Sequence, residues 1–444
     1  ATLSQVTRVT IGESFSIAAV ADPQYADVPT GWRGGGREPE EGVNRLSHAI
    51  THYNQRNLDW GVMVGDLIDF DDIDYGNPPP GTPSATGTHD WSNADAILGA
   101  WDQINIPSYL VIGNHEYYVP NVDVDGLQKP YSVYRKFGFK DRAYYDFRHK
   151  GFRFVVLDGD NCYLNFDLNL PEYQQALDYY QGLSGQPQRR WWNAGISIDQ
   201  RKWLMDVLDH SIILDEPVVI MCHYPIHPPV NNHSLLNSTE LLNIVDGYSN
   251  VVMWMNGHHH SGSYAIEGRR HHLGLKGMQN EAENWYQLDF SPSQVTVYQA
   301  ENTTTPVYDL DISRPTPTVA RPTGFAVTDV AGDASLTWDA EPAGATDVVI
   351  ERRHVSTLTA ELPSTAQTLS WQTLATLALP TTQSYVDDSA NPIAEYKYRI
   401  RFLGGAEGSH YSQALAPDES AQTSYVDYTD SLGTRYELVG VDTD

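Results

Sequence analysis

Five short apolar runs in this chain each end in side chains able to bind a cation, and that placement constrains the fold more than any other feature. They are Phe15-Ser-Ile-Ala-Ala-Val-Ala-Asp-Pro-Gln24, Gly61-Val-Met-Val-Gly-Asp66, Tyr109-Leu-Val-Ile-Gly-Asn-His-Glu116, Val218-Val-Ile-Met-Cys-His223 and Val251-Val-Met-Trp-Met-Asn-Gly-His-His-His260. Short apolar runs bounded by turn residues read as buried strands. In α/β sheets, binding sites form outside the carboxyl ends of the strands. Asp, Gln, Asn and His at these ends therefore predict one shared pocket. Taken singly, Asp66 is an ordinary loop carboxylate and His223 a hydrogen-bonded core imidazole. Their joint placement is what points to a metal site.

The 444 residues exceed what one hydrophobic core organises. Residues 1–313 alternate apolar runs with helical segments, the pattern of a layered α/β domain. The Pro- and Thr-rich stretch at 314–322 reads as a linker outside either core. Residues 323–417 carry strand-like alternation without helical signal: Phe325-Ala-Val327, Ser335-Leu-Thr-Trp338, Val348-Val-Ile-Glu351 and Tyr396-Lys-Tyr-Arg-Ile-Arg-Phe402. This module resembles a fibronectin type III domain, an all-β immunoglobulin-like sandwich, which makes Trp338 its core tryptophan and Tyr396 its tyrosine-corner residue. In the tail, 418–444, Ser384-Tyr-Val-Asp387 recurs 40 positions later as Ser424-Tyr-Val-Asp427. The tail is either a partial second module or extra strands on the first.

Twenty-eight Lys and Arg against 57 Asp and Glu give a net charge of −29. That field repels nucleic acid polymers and anionic lipid. No apolar run approaches the roughly 20 residues of a membrane span, so no membrane partner is expected. The start at Ala1, the scarcity of Lys relative to Arg and the sandwich module lead to an expectation of a secreted or periplasmic protein. Cys162 and Cys222 are expected as free buried thiols, with one disulfide as the alternative.

The motif blocks of the large domain resemble those of the calcineurin-like metallophosphoesterases. They are Gly65-Asp-Leu-Ile-Asp69, Gly113-Asn-His-Glu116, His223 and Gly257-His-His-His260, together covering most of residues 13–300. Ser197-Ile-Asp-Gln-Arg-Lys-Trp-Leu204 adds a helix start ahead of the His223 strand. The first block departs from the usual Asp-x-His, because Asp22-Pro-Gln24 has an amide in place of the imidazole. That replacement resembles the manganese-dependent ADP-ribose/CDP-alcohol diphosphatase branch. So do Ala21-Asp-Pro-Gln-Tyr-Ala-Asp27, His223-Tyr-Pro-Ile-His-Pro228, Asn232-His233, Gly262-Ser-Tyr264, and His271-His272 with Leu273-Gly-Leu-Lys-Gly277. The glycine-rich Gly31-Trp-Arg-Gly-Gly-Gly-Arg37 and the attached sandwich are foreign to that branch.

The resemblance implies a four-layer α-β-β-α sandwich and two metal ions. One would be held by Asp22, Gln24, Asp66 and His260, the other by Asp66, Asn114, His223 and His258, with Asp66 bridging. An amide oxygen is a harder ligand than an imidazole nitrogen, so Mn²⁺ is favoured, with Fe, Zn²⁺ or Mg²⁺ as alternatives. A hydroxide between the ions would attack phosphorus. His115 is expected to protonate the leaving group, Asp69 and Glu116 to orient ligands, and His259 to point away.

His227, His233, Arg189 and Arg190 are candidates for substrate contact. The aromatic stretch 161–193 either covers the site or packs its own small core. Asp71, Asp72 and Asp74, and Asp123 with Asp125, lack the spacing of a calcium loop. The function expected is hydrolysis of a small nucleotide-like diphosphate or phosphodiester. The alternatives are a broad-specificity phosphomonoesterase and, in another class, a catalytically decayed extracellular binding protein. Any homo-oligomer is expected to form through the β-sandwich.

Overall fold

The computed structural model describes residues 13–28, 38–69, 91–119, 126–227, 229–314, 318–330, 333–354, 370–390, 396–404, 412–414, 425–429 and 435–439. The aspartate clusters at 71–74 and 123–125, the glycine-rich 31–37 and Pro228 lie outside them.

Among the described residues the large domain has twelve strands. They are β1 (Phe15–Val20), β2 (Trp60–Val64), β3 (Ser108–Val111), β4 (Tyr145–His149), β5 (Phe152–Leu157), β6 (Val218–Cys222), β7 (Val251–Asn256), β8 (Ser261–Glu267), β9 (Arg270–Lys276), β10 (Trp285–Phe290), β11 (Gln294–Gln299) and β12 (Tyr308–Asp311). They form two six-stranded sheets, ordered β12-β11-β10-β1-β2-β3 and β4-β5-β6-β7-β9-β8. The helices are α1 (Gly42–Tyr53), α2 (Ser92–Trp101), α3 (Tyr131–Lys136), α4 (Pro171–Gly182), α5 (Ile198–Leu214) and α6 (Ser238–Asp246).

The five ligand-tipped strands are β1, β2 and β3, which run parallel in one sheet, and β6 and β7, which run parallel in the other. An aromatic seam joins the two sheets. Trp60 of β2 packs edge-on against Phe147 and Phe154 of the opposite sheet at 5.3 and 4.8 Å, and Tyr109 stacks on Phe147 at 4.0 Å. Such pairs contribute about 0.5–1.5 kcal/mol each beyond the area they bury. With that seam fixing the sheets face to face, the carboxyl ends of β1, β2 and β3 meet those of β6 and β7.

The helix start at Ser197 is a true cap, since its Oγ accepts the Gln200 N–H at 3.2 Å as α5 begins. Cys162 and Cys222 are free and buried. Among the described residues no helix is long and apolar enough to cross a membrane.

The C-terminal module contains β13 (Ala326–Val330), β14 (Asp333–Thr337), β15 (Asp347–His354), β16 (Gln372–Ala378), β17 (Ser384–Asp387), β18 (Tyr396–Leu403) and β19 (Ser412–Ala414). They form a three-stranded sheet, β13-β14-β17, and a four-stranded one, β16-β15-β18-β19. Leu336, Trp338, Val348, Ile350, Tyr398, Ile400 and Phe402 make the core.

One detail differs from the sequence expectation. Val319 of the linker packs into this core, because an apolar side chain there finds the sandwich edge open to it. Tyr398 donates from its hydroxyl to Asp387 at 2.8 Å, and Tyr396 packs on the His354 ring near the strand end. The tail repeat forms a hairpin, β20 (Tyr425–Thr429) with β21 (Arg435–Val439).

Candidate metal centre

The turns that leave the strands are unusual. Asp22, Gln24, Asp66 and His258 all have left-handed backbones, with φ of 51°, 44°, 54° and 62°. Non-glycine residues held there cost roughly 1–3 kcal/mol each and persist only where the surroundings impose them. Here the turns hydrogen-bond to one another. Asp22 N–H donates to Gly65 O (3.1 Å), Gln24 N–H to Asp66 O (3.0 Å), Gly257 N–H to His223 O (3.0 Å) and Met278 N–H to Ala21 O (2.9 Å). Gly113 is required by close approach, since a Cβ there would run into the Asp66 carboxylate.

Glu116, on the 3-10 turn Asn114–Tyr117, binds this frame from below. Its carboxylate accepts the N–H groups of Asp66 (3.0 Å), Leu67 (2.6 Å) and Gly113 (2.7 Å). Burial, and then the charge of Asp66, push its carboxyl up to about 8, against the pull of those donors.

The donor atoms converge in two trios that share one carboxylate. Atoms of Asp66, His223 and His258 lie within 4.8 Å of one another, and so do those of Asp22, Asp66 and His260. His223 Nδ1 faces Val64 O at 2.9 Å and donates to it, which leaves Nε2 as the free donor atom, 3.2 Å from Asp66 Oδ2. His258 is turned the other way. Its Nε2 donates to Asn193 Oδ1 at 3.0 Å, and its Nδ1 faces His223 Nε2 at 3.1 Å. His260 Nε2 is 3.4 Å from Asp22 Oδ1.

Two buried amide oxygens complete the picture. Asn114 Nδ2 donates to the Tyr118 hydroxyl at 3.0 Å, while its Oδ1 has no hydrogen-bond partner among the described residues. Gln24 Oε1 is likewise unpartnered, and its Nε2 lies 3.0 Å from Asp66 Oδ2 and 3.3 Å from His260 Nε2. A half-turn of that amide exchanges the two atoms. A buried polar atom without a partner costs about 1–3 kcal/mol, a cost that coordination would remove. The donor set therefore fits two divalent cations sharing Asp66.

The charges are set by mutual proximity. Burial pushes the Asp66 carboxyl up, but His115, His223 and His258 together hold it well below the usual carboxylate range. Burial lowers His223, and Asp66 and Asp22 more than reverse this, raising it to about 10. Burial and then the neighbouring His223 hold His258 well below the usual range. A cation entering the site must displace the proton that His223 otherwise holds, so affinity should rise with pH.

His115 sits beside both trios. Its Nδ1 is 3.2 Å from Asp69 Oδ1, and its Nε2 is 3.3 Å from Gln24 Nε2 and 3.7 Å from Asp66 Oδ2. Its ring meets Tyr118 edge-on at 5.0 Å. The four substrate candidates separate. His233 packs 5.4 Å from His258 and 4.8 Å from His259, and burial followed by the neighbouring imidazoles lowers it to about 4. Arg190 is exposed and lies over Trp192, and its charge helps lower His233. Arg189 donates to Tyr180 O (2.8 Å) and lies on the Tyr180 ring, held within the insertion. His227 packs on His272 at 4.7 Å, away from both trios.

Sequence reasoning missed the residues through which the 161–193 insertion reaches the site. Asn193, fully buried, holds His258 and in turn donates to Gln188 O (2.9 Å) and Asn232 O (3.0 Å). Tyr163 donates to Tyr118, which holds Asn114. No motif marks an asparagine at the end of an aromatic stretch. Replacing Asn193 with Ala should weaken metal affinity about 10–100-fold, the usual effect of losing such an outer partner. Equilibrium dialysis of the full chain against Mn²⁺ measures it, and unchanged occupancy would remove Asn193 from this role.

A sequence model of the calcineurin-like phosphoesterase family matches residues 15–262, and the chain belongs to that family. It is a hydrolase of phosphoric esters or anhydrides. The manganese-dependent ADP-ribose/CDP-alcohol diphosphatase of Mus musculus is 28% identical to it over 299 residues, 60% of this chain and 83% of that one. The protein of the same name from Oryza sativa subsp. japonica is 28% identical over 284 residues, 59% of this chain and 83% of that one. Among solved structures, a dimetal phosphatase from Danio rerio shares the fold at 19% identity and a TM-score of 0.55, covering 67% of this chain and 99% of that one.

Proposed function

We propose that this enzyme hydrolyses a small nucleotide-like diphosphate or phosphodiester at a centre of two divalent ions, Mn²⁺ favoured. One ion is held by Asp22, Gln24, Asp66 and His260, the other by Asp66, Asn114, His223 and His258. The observation that carries this is the pair of donor trios sharing Asp66, built on four left-handed backbone positions. The diphosphatase relatives and the amide at Gln24 favour this substrate class and Mn²⁺.

Bound there, two dications supply Lewis acidity toward phosphoryl oxygens and a nucleophile at neutral pH. The chain's own residues do the rest. Glu116 and the turn hydrogen bonds keep Asp66 in place. Asp69 holds the His115 ring so that Nε2 faces the centre, where it can pass a proton to the leaving oxygen. The half-buried Trp191 and Trp192, 5.7 Å apart, with Trp191 6.0 Å from the buried Tyr118 that meets His115, offer an aromatic face on which a base could stack. The C-terminal module is a fibronectin type III-like sandwich, a reading supported by its three-plus-four strand arrangement and the buried Trp338.

Turnover of ADP-ribose, a cyclic nucleotide and p-nitrophenyl phosphate with Mn²⁺ tests the substrate class. ADP-ribose or the cyclic nucleotide should exceed p-nitrophenyl phosphate in kcat/KM by at least about tenfold, or about 1.4 kcal/mol of transition-state discrimination. Equal or faster turnover of p-nitrophenyl phosphate would assign a broad phosphomonoesterase instead. No turnover of any of them with Mn²⁺, Mg²⁺, Zn²⁺ or Fe²⁺ would overturn the proposal.

A further inference from the structure

We infer that this chain binds a third metal ion, of the Zn²⁺ or Cu²⁺ class, on its surface at His48, His52 and Glu301, a trio separate from the buried ligands. His48 and His52 stand four residues apart on α1 and so share one helix face. Glu301 comes from the turn between β11 and β12. Its Oε1 is 3.5 Å from His48 Nε2 and 3.2 Å from His52 Nε2, and all three donor atoms lie within 4.8 Å of one another. A tetrahedral Zn²⁺ with bonds of about 2.0–2.1 Å spaces its ligand atoms about 3.3 Å apart. Both glutamate-to-histidine separations match that edge.

The His52 ring is held in place before any ion arrives. His52 stacks on Trp285 at 5.3 Å, and Arg56 covers the same indole at 4.8 Å. Arg56, whose charge also interacts with Glu301, already donates to Gln287 Oε1 and Ala300 O. Its hydrogen bonds are therefore not competing for the carboxylate.

Two imidazoles and one carboxylate suit a borderline transition ion and disfavour Mg²⁺ or Mn²⁺, which want more oxygens. With three protein ligands and one position left to solvent, the ion would fasten α1 to the β11–β12 turn. The other end of α1 starts at Gly42, which packs directly on Pro23 and Tyr25 beside Asp22 and Gln24.

The test is element analysis of the full chain after equilibrium dialysis against Zn²⁺, comparing the parent with His48→Ala and Glu301→Gln. The parent should hold one equivalent more than either variant. It should also gain thermal stability from Zn²⁺ that both variants lack, since an ion binding only the folded state raises Tm. Equal zinc content in all three chains would overturn the inference. Because the side chains are largely exposed, both variants should fold, and p-nitrophenyl phosphate turnover with Mn²⁺ should stay at the parent rate in each.

Discussion

Asp66→Asn strips the chain of both catalytic ions and lowers kcat/KM by about a thousandfold or more, roughly 4 kcal/mol of transition-state stabilisation. The variant keeps the shape of the side chain and one of its oxygens, so the loss reports charge and bridging. In the parent, Asp66 Oδ1 accepts the His115 N–H at 3.0 Å, and Oδ2 lies 3.2 Å from His223 Nε2. Asp66 is the one group present in both donor trios, so neither subsite survives its conversion to an amide. His115→Ala is the contrasting measurement. That imidazole faces the centre from Asp69, and its removal should leave two ions in place while slowing turnover about 10²–10⁴-fold, most for poor leaving groups. Element analysis with kinetics on the two variants separates ligand from proton donor. An Asp66→Asn chain that still holds two ions would sink the assignment of the bridge.

The strand ends were legible because a buried strand needs an uninterrupted apolar run, and Asp, Gln, Asn or His breaking that run at its carboxyl end stands out. Their division was not legible. Nothing local in Val218-Val-Ile-Met-Cys222 says that β6 belongs to a different sheet from β2, since pairing is decided by contacts such as Trp60 on Phe147 that are distant in sequence. The outer residues were hidden for a related reason. Asn193 and Tyr163 act through a single hydrogen bond each, and one polar residue in an aromatic stretch carries no periodic signal. The two arginines chosen by charge alone take different places. Arg190 lies exposed over Trp192 and Arg189, its neighbour, is turned onto Tyr180, because adjacent residues in a turn point in different directions. Tyr398, which shares a strand face with Tyr396, ties β18 to Asp387, a bond between residues 11 apart that no local pattern announces.

Asp209→Asn should cost about 3–5 kcal/mol, the usual effect of removing one partner from a buried ion pair. The polar face of the C-terminal sandwich is buried against α5 and the turn that follows α6, and Asp209 of α5 is its anchor. Arg353 of β15, almost wholly buried, donates from Nε to Asp209 Oδ2 at 3.1 Å, and from its terminal nitrogen to Asp206 Oδ1 at 2.9 Å. Lys397 of β18 donates to Asp206 at 2.9 Å, and the Tyr248 hydroxyl to Asp209 Oδ1 at 2.7 Å. Trp371 closes the cluster by donating to Tyr248 at 3.0 Å and lying under the Arg399 guanidinium at 4.3 Å.

Burial pushes the Asp209 carboxyl up, and Arg353 with Lys397 brings it below its ordinary value. A carboxyl lowered by folding contributes stability that is present above its unfolded value, near 4, and is lost as pH falls through the folded one. Docking should therefore hold at neutral pH and loosen in acid. In Asp209→Asn the amide leaves two buried cations facing Asp206 alone, which is about one-third exposed. Urea unfolding of the full chain at neutral pH measures the change, which should shrink in acid as the parent loses the same charge. If the variant unfolds within about 0.5 kcal/mol of the parent, as surface substitutions do, the network is not what holds the two domains together. Replacing Asp209 and Arg353 jointly with apolar residues should recover part of the loss, because a buried pair removed whole leaves no unpaired charge.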